Sequence, residues 1–143
     1  MPGFAALGRA VTTRRRLAEP KPGAVFPACF LAWLLPGAGH LYLGRTVKGL
    51  VFLGAIGALF VLGVAGDARL DLHLGLDDIM ASIVSLSQLA TGLPYLAARL
   101  LGFESGRPTS LTFDYGVTYT ACAGLLNILV ILDAHDTARG IKP

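Results

Sequence analysis

His40 is the residue of this sequence whose type and place are most suited to chemistry. It lies in residues 33–49, W-L-L-P-G-A-G-H-L-Y-L-G-R-T-V-K-G, just after Pro36, Gly37 and Gly39 and two positions before Tyr42. Proline removes a backbone donor and glycine relaxes the backbone, so a helix arriving here must kink or end. Apolar sequence continues on both sides of the break. An ionisable side chain at such a place in lipid is costly and often functional. Yet a single imidazole with no carboxylate or second ligand beside it in the sequence makes neither a metal site nor an acid–base pair. The simpler role is a neutral ring that bonds the carbonyls freed by Pro36 and the glycines and so locks the turn.

A second constellation is Asn127 with Asp133, His135 and Asp136. On a helix Asp133 and Asp136 share a face and His135 points away. Asp136-Thr137-Ala138-Arg139 is distantly similar to the D-x-x-A-R of phosphatidyl-alcohol transferases. Those enzymes need further metal-binding aspartates downstream, and none follows here. The expected roles are therefore structural: Asn127 as an interhelical hydrogen-bond donor, Asp133 as a helix-end group bonded to Arg139 or Lys142. Residues 67–78 carry Asp67, Asp71, Asp77, Asp78 and His73, but without the spacing of a calcium loop. They read as a solvated acidic connector. Cys29 and Cys122 stand in apolar segments and suggest buried, inert thiols. No glycine-rich phosphate loop, Ser-His-Asp set or CxxC is present. The sequence predicts no catalytic residue, no cofactor, no metal and no identifiable small-molecule substrate.

The elements that must position these residues are apolar. Hydrophobic residues make up 54% of the 143 and charged residues 15%, with a mean hydropathy of +0.64. Soluble domains carry about a quarter charged residues, and here the deficit is concentrated in long runs. The fold class expected is an all-α integral membrane bundle of one domain, with four hydrophobic segments arranged as two helical hairpins. Residues 24–43 are uncharged, about the length of a spanning helix. The alternative for them is a shorter helix, a break at Pro36-Gly37 and a re-entrant return. Residues 49–66 form the second segment, in which Gly54 and Ala58 stand four apart and predict a close helix–helix contact.

The third segment, 79–101, carries a polar stripe of Ser85, Gln88, Gly92 and Tyr95, which should face other helices. Pro94 predicts a kink in it. The fourth segment, about 115–132, lines Gly116, Thr120, Gly124 and Asn127 on one face for packing against the third helix or a neighbouring subunit. Residues 24–66 and 79–132 thus form the two hairpins, joined by the connector 67–78 and followed by a polar tail, 133–143. No internal repeat is evident between them. Trp33 and Tyr42 suit interfacial anchors, and Arg45 and Lys48 suit lipid phosphates or an acidic partner.

Residues 1–23 form a basic tail or surface helix, with Arg9, Arg14, Arg15, Arg16 and Lys21 against Glu19 alone. Basic residues beside a membrane segment mark the cytoplasmic side. The sequence Thr13-Arg14-Arg15-Arg16 faintly resembles a twin-arginine export signal, but more membrane segments follow, which favours a cytoplasmic anchor. The tail is short and lacks a nucleic-acid-binding motif. Charge placement slightly favours a re-entrant first segment, whereas segment length favours four spans.

The motif Gly37, Gly39, His40, Tyr42, Leu43, Gly44, Arg45, with Gly49 following, resembles the signature of the two-transmembrane-helix (TM-two) domain family. The stretch from Thr118 to Asp136 resembles a related family of small bacterial multi-pass membrane proteins of unknown function. These resemblances imply a bacterial inner-membrane, multi-pass location and four helices, but no reaction. Three functions remain in view: a contact-acting scaffold, assembly or accessory subunit, as a homo-oligomer or in a larger membrane complex; an oligomeric transporter or channel component with a polar path along segments three and four; and, weakest, a lipid-modifying enzyme.

Overall fold

A computed structural model describes residues 22–103 and 105–141, so the expected surface helix in the basic tail lies outside the described residues. Among the described residues there are six α-helices and no strands: α1 (Val25–Leu34), α2 (Ala38–Tyr42), α3 (Thr46–Ala65), α4 (Ile79–Leu89), α5 (Leu93–Leu100) and α6 (Phe113–Ala138), with a 3-10 turn over Pro22–Ala24. Two of them, α3 with 20 residues and α6 with 26, are long and apolar enough to cross a membrane. They run about 30 and 39 Å at 1.5 Å per residue.

The four-span arrangement is corrected at both remaining segments. The first apolar segment is not one span: α1 has only ten residues, and Pro36 and Gly37 end it. Gly37 takes a φ of +86°, a left-handed conformation that glycine adopts without steric cost. The third segment bends by 104° between α4 and α5, so it counts as a third span only if the bent pair is one crossing. The break falls at residues 90–92 rather than at Pro94, which sits in the first turn of α5, where its missing N–H costs nothing.

Helix α6 is the hub, packing against α3, α1 and α4. It runs antiparallel to α3. Gly63 and Gly66 near the end of α3 meet Gly116 near the start of α6, while Lys48 at the start of α3 reaches Asp133 late in α6. The bundle therefore has a Lys48 end and an Asp67 end. Helices α1 and α2 fold on each other at the Lys48 end: Gly39 of α2 lies against Ala28 and Ala32 of α1, and its neighbour His40 reaches Asp133. Their turn points inward, with Gly37 against the Gly49 carbonyl and Leu53. Helices α4 and α5 form a second V from the Asp67 end. Gln88 of α4 bonds Thr120, Asn127 bonds the Ala90 carbonyl deeper along α6, and Gly106 beyond α5 is back against Asp67 and Arg69.

The two tips meet. Gly92, at φ +79°, presses its Cα on the Trp33 carbonyl, and any Cβ there would collide with it. It is the Trp33 carbonyl that stands at this junction; the half-buried ring lies 6.1 Å from that of Phe30. Each half of the chain thus has one plan, a V followed by a long apolar helix, and the antiparallel long helices set the two plans upside down relative to each other.

Small residues make the crossings possible. Gly124 of α6 meets the Ser87 carbonyl, and Gly116 meets Gly63 and Gly66. Glycine Cα–H groups directed at carbonyls are favourable contacts at helix interfaces. Thr120 and Asn127 are buried on the same face. Gly54 and Ala58 do not serve this way: Ala58 is exposed and nothing lies within 4 Å of a Cβ placed on Gly54. Cys122 is exposed as well, contrary to a buried thiol. Inside, Tyr95 joins Ile56, Phe60, Leu70, Ala98, Ala123 and Val130 in one apolar cluster.

Candidate functional site

The acidic connector is not a free loop. Residues 68–75 have no helical structure and lie along the polar stripe of α4. Gln88 Nε2 donates to the Arg69 carbonyl at 2.9 Å and to Thr120 Oγ1 at 2.8 Å. Ser85 Oγ donates to the Asp71 carbonyl at 3.1 Å and accepts from the His73 amide at 3.1 Å. Ser82 Oγ donates to the Gly75 carbonyl at 2.8 Å and accepts from its amide at 3.1 Å. Ser82 and Ser85 bond the connector, and Gln88 bonds both the connector and Thr120 of α6. Asp78 caps α4 by accepting from the Ala81 amide at 2.9 Å.

Of the connector's leucines only Leu70 is buried; Leu72, Leu74 and Leu76 are exposed. A cavity of about 350 Å³ opens beside this seam, with Asp71, His73 and Gln88 on its wall. At the start of the connector Asp67 accepts from Arg107 Nε and Nη2, both at 3.0 Å. The Arg107 hydrogen bond holds the Asp67 carboxyl below its ordinary range, and the carboxylate in turn raises the guanidinium. This pair ties the loop before α6 to the end of α3.

The Lys48 end holds the ionic cluster. His40 is fully buried on α2, and its Nε2 lies 2.8 Å from Asp133 Oδ2. The expectation that no carboxylate stands near His40 is overturned: Asp133, 93 positions along the chain, is its partner. Asp133 stands five residues before the end of its helix rather than beyond it. It lies inside α6, which continues to Ala138, and its carboxylate also takes Lys48 Nζ at 3.5 Å. With Asp133 ionised and the ring neutral, the hydrogen bond puts the His40 proton on Nε2. Nδ1 is then an unprotonated acceptor, buried and without a hydrogen-bond partner, a cheaper condition than a buried orphan N–H. The ring stands edge-on to Phe52 with centroids 5.1 Å apart. Asp133 and Lys48 keep 21% and 41% of their side-chain surface exposed, so solvent reaches the cluster from one side.

That side opens on a groove between α3 and α6 of about 680 Å³. Its walls are apolar, from Phe52 and Ile56 on α3 to Leu126 and Val130 on α6, and its outer end is formed by Asp133 and Asp136. Asp136 lies 3.4 Å from His135 Nδ1. Of the turn motif, Pro36, Gly37, Gly39 and Gly49 are buried in the packing of α2 on α1 and α3. Leu43 and Arg45 are half-buried and Tyr42 and Gly44 exposed in the short turn to α3. Among the described residues no three His, Cys, Asp or Glu side chains converge as metal ligands. The partnership of His40 with Asp133 has no sequence signal, since turn and helix are far apart in the chain. Lys48 is legible only as a basic residue after the turn.

Neither a curated protein nor a solved structure matches the chain. A family described only as one of unknown function (DUF6677) matches residues 27–143, which take in all six helices but for the first two residues of α1. That match does not extend to the TM-two family suggested by the turn motif. With the family covering both V-shaped pairs, both long helices and the His40–Asp133 cluster, the chain belongs to the family of unknown function DUF6677.

Proposed function

We propose that this protein is a multi-pass membrane protein that works by contact, as a self-associating or accessory subunit of a membrane complex, with the outward face of α3 as its docking face. The observation that carries this is the contrast between the two long helices. Gly116 and Gly124 of α6 are filled by carbonyls of neighbouring helices, whereas a Cβ placed on Gly54 or Gly57 of α3 would have nothing within 4 Å. Val47, Val51, Gly54, Ala58, Val61 and Ala65 alternate at spacings of four and three, and all are exposed. In lipid, a stripe with small residues at its centre lets a second helix approach closely.

Two spans and two V-shaped pairs also reconcile the charges. Arg45, Lys48 and Arg139 fall at the Lys48 end with Asp133 and Asp136, where α1 follows the basic tail; Arg69 and Arg107 fall at the other with Asp67, Asp71, Asp77 and Asp78. The positive-inside bias then puts the Lys48 end and the amino terminus in the cytoplasm of a bacterial cell. The test is labelling of single cysteines in a Cys29→Ser, Cys122→Ser background at the exposed positions Thr46, Leu76, Ser105 and Arg139. Labelling of Leu76 and Ser105 from outside, with Thr46 and Arg139 protected, is expected. Thr46 and Ser105 labelling together would restore four spans. Disulfide cross-linking through Gly54→Cys then tests self-association, and a strictly monomeric product in membranes sinks that part.

A second reading has one observation behind it. Where the two tips meet, Thr91 Oγ1 and Asn127 Oδ1 are buried without a partner, as befits a polar junction at mid-depth in a transport component. Solute flux in reconstituted vesicles, absent in Asn127→Leu, supports it; no flux removes it.

A further inference from the structure

The groove beside the His40 cluster has the chemistry of a lipid site, and we propose that it holds one glycerophospholipid whose headgroup carries both a phosphate and a primary ammonium. This rests on the membrane reading above. The polar end of the groove is set where headgroups lie: Lys48 is in the first turn of α3, and Asp133 and Asp136 are in the last turns of α6. From there the apolar walls run inward past Phe52 and Val130 to Ile56 and Leu126. A head at the boundary with an acyl chain pointing to mid-depth matches that gradient. The volume, about 680 Å³, is in the range of pockets that enclose sizeable ligands.

Charge selects the head. The outer end presents two carboxylates and, 3.5 Å from one of them, the half-exposed Lys48 ammonium. A headgroup with only a negative charge meets Asp133 and Asp136. One with a quaternary ammonium has no N–H to give them. A primary ammonium donates to Asp136 while the phosphate beside it takes Lys48, which is held in place by Asp133. Asp133 and Asp136 are three residues apart, about 4.5 Å along the helix, and both line the groove, Asp133 beside Lys48 at 3.5 Å and Asp136 beside His135 at 3.4 Å. His40 acts through Asp133 and is a positioning residue: bonded at Nε2, it fixes the carboxylate that in turn orients Lys48.

The experiment is native mass spectrometry of the full-length protein, delipidated in detergent and titrated with ethanolamine, choline and glycerol phospholipids of the same acyl chains. One ethanolamine lipid is expected to bind, preferred over the other two by about tenfold or more. Asp136→Asn should reduce that preference several-fold without removing binding, and Ala55→Trp, which fills the groove from an exposed position, should remove binding of all three. Equal retention of the three lipids, or binding indifferent to Ala55→Trp, overturns the site. So does a dimer that Ala55→Trp dissociates while lipid binding is unchanged, since a second copy then occupies the groove. A protein released from membranes by an alkaline wash without detergent overturns the membrane reading instead, which keeps the two failures apart.

Discussion

The two V-shaped pairs share a plan but treat their polar groups in opposite ways. The α4–α5 pair closes its polarity internally: Ser82, Ser85 and Gln88 are spent on the backbone of residues 69–75, and Ala90 takes Asn127. The α1–α2 pair has one buried ionisable group, His40, and couples it to a carboxylate and an amine that solvent reaches. Neutral side chain-to-backbone bonds satisfy a fold and then have nothing left to offer a ligand. An ion pair at the mouth of an apolar groove keeps charge available. The difference lies in what is left exposed: along α4 the side chains are bonded to backbone, whereas at the Lys48 end an ion pair beside an apolar groove stays open to solvent.

The largest expected effect tests whether the two pairs truly meet. Gly92→Val combines a forbidden backbone conformation with a clash on the Trp33 carbonyl, and should cost about 3 kcal/mol or more. Gly54→Val, in open space, should stay within about 0.5 kcal/mol in the monomer. Thermal unfolding in detergent reads both, and equal midpoints would mean the tips do not touch. Next is the ionic cluster. Asp133→Ala leaves a buried imidazole N–H unpaired and should destabilise by about 1–3 kcal/mol. A double-mutant cycle with His40→Ala should return a coupling of about 1–2 kcal/mol. No coupling would reduce the contrast between the pairs to one of packing.

Gln88→Ala, on the neutral side, loses two hydrogen bonds and should cost about 1–2 kcal/mol. Hydrogen exchange sharpens this: the His73 amide should lose protection in Ser85→Ala, and the Gly75 amide in Ser82→Ala. The smallest effect is the exposed Asp67–Arg107 pair. Because the folded carboxyl sits below its unfolded value of about 3.9, its contribution is present above that value and fades as pH falls through the lower folded one. The wild type should therefore lose more of its thermal midpoint than Arg107→Gln between about pH 4 and 2. Parallel curves would show the pair to be idle.

The first break in this fold was legible, whereas the second was expected at Pro94 and falls at residues 90–92. Pro36-Gly37 ends a helix because of backbone chemistry that no environment alters, and Gly116, Thr120, Gly124 and Asn127 read as one face because helical spacing is fixed. Gly54 and Ala58 carried the same local pattern yet face outward, since spacing says which residues share a face and not what covers it. The stripe Ser85, Gln88 suggested a helix partner; Gln88 has one in Thr120 but also takes the extended backbone that holds Ser85, because a hydroxyl or amide bonds any correctly placed carbonyl.

By itself the sequence determined that this chain is helical, apolar enough for lipid, broken at residue 36, and basic before its first helix. Those properties belong to single residues and their near neighbours. Only the tertiary structure decided that the third segment bends by 104° at residues 90–92, that the two tips touch at Gly92 and Trp33, and that His40 meets Asp133. These outcomes depend on how two antiparallel helices bring distant turns to one depth, and on a hydrogen bond between residues 93 positions apart, for which no local periodicity exists.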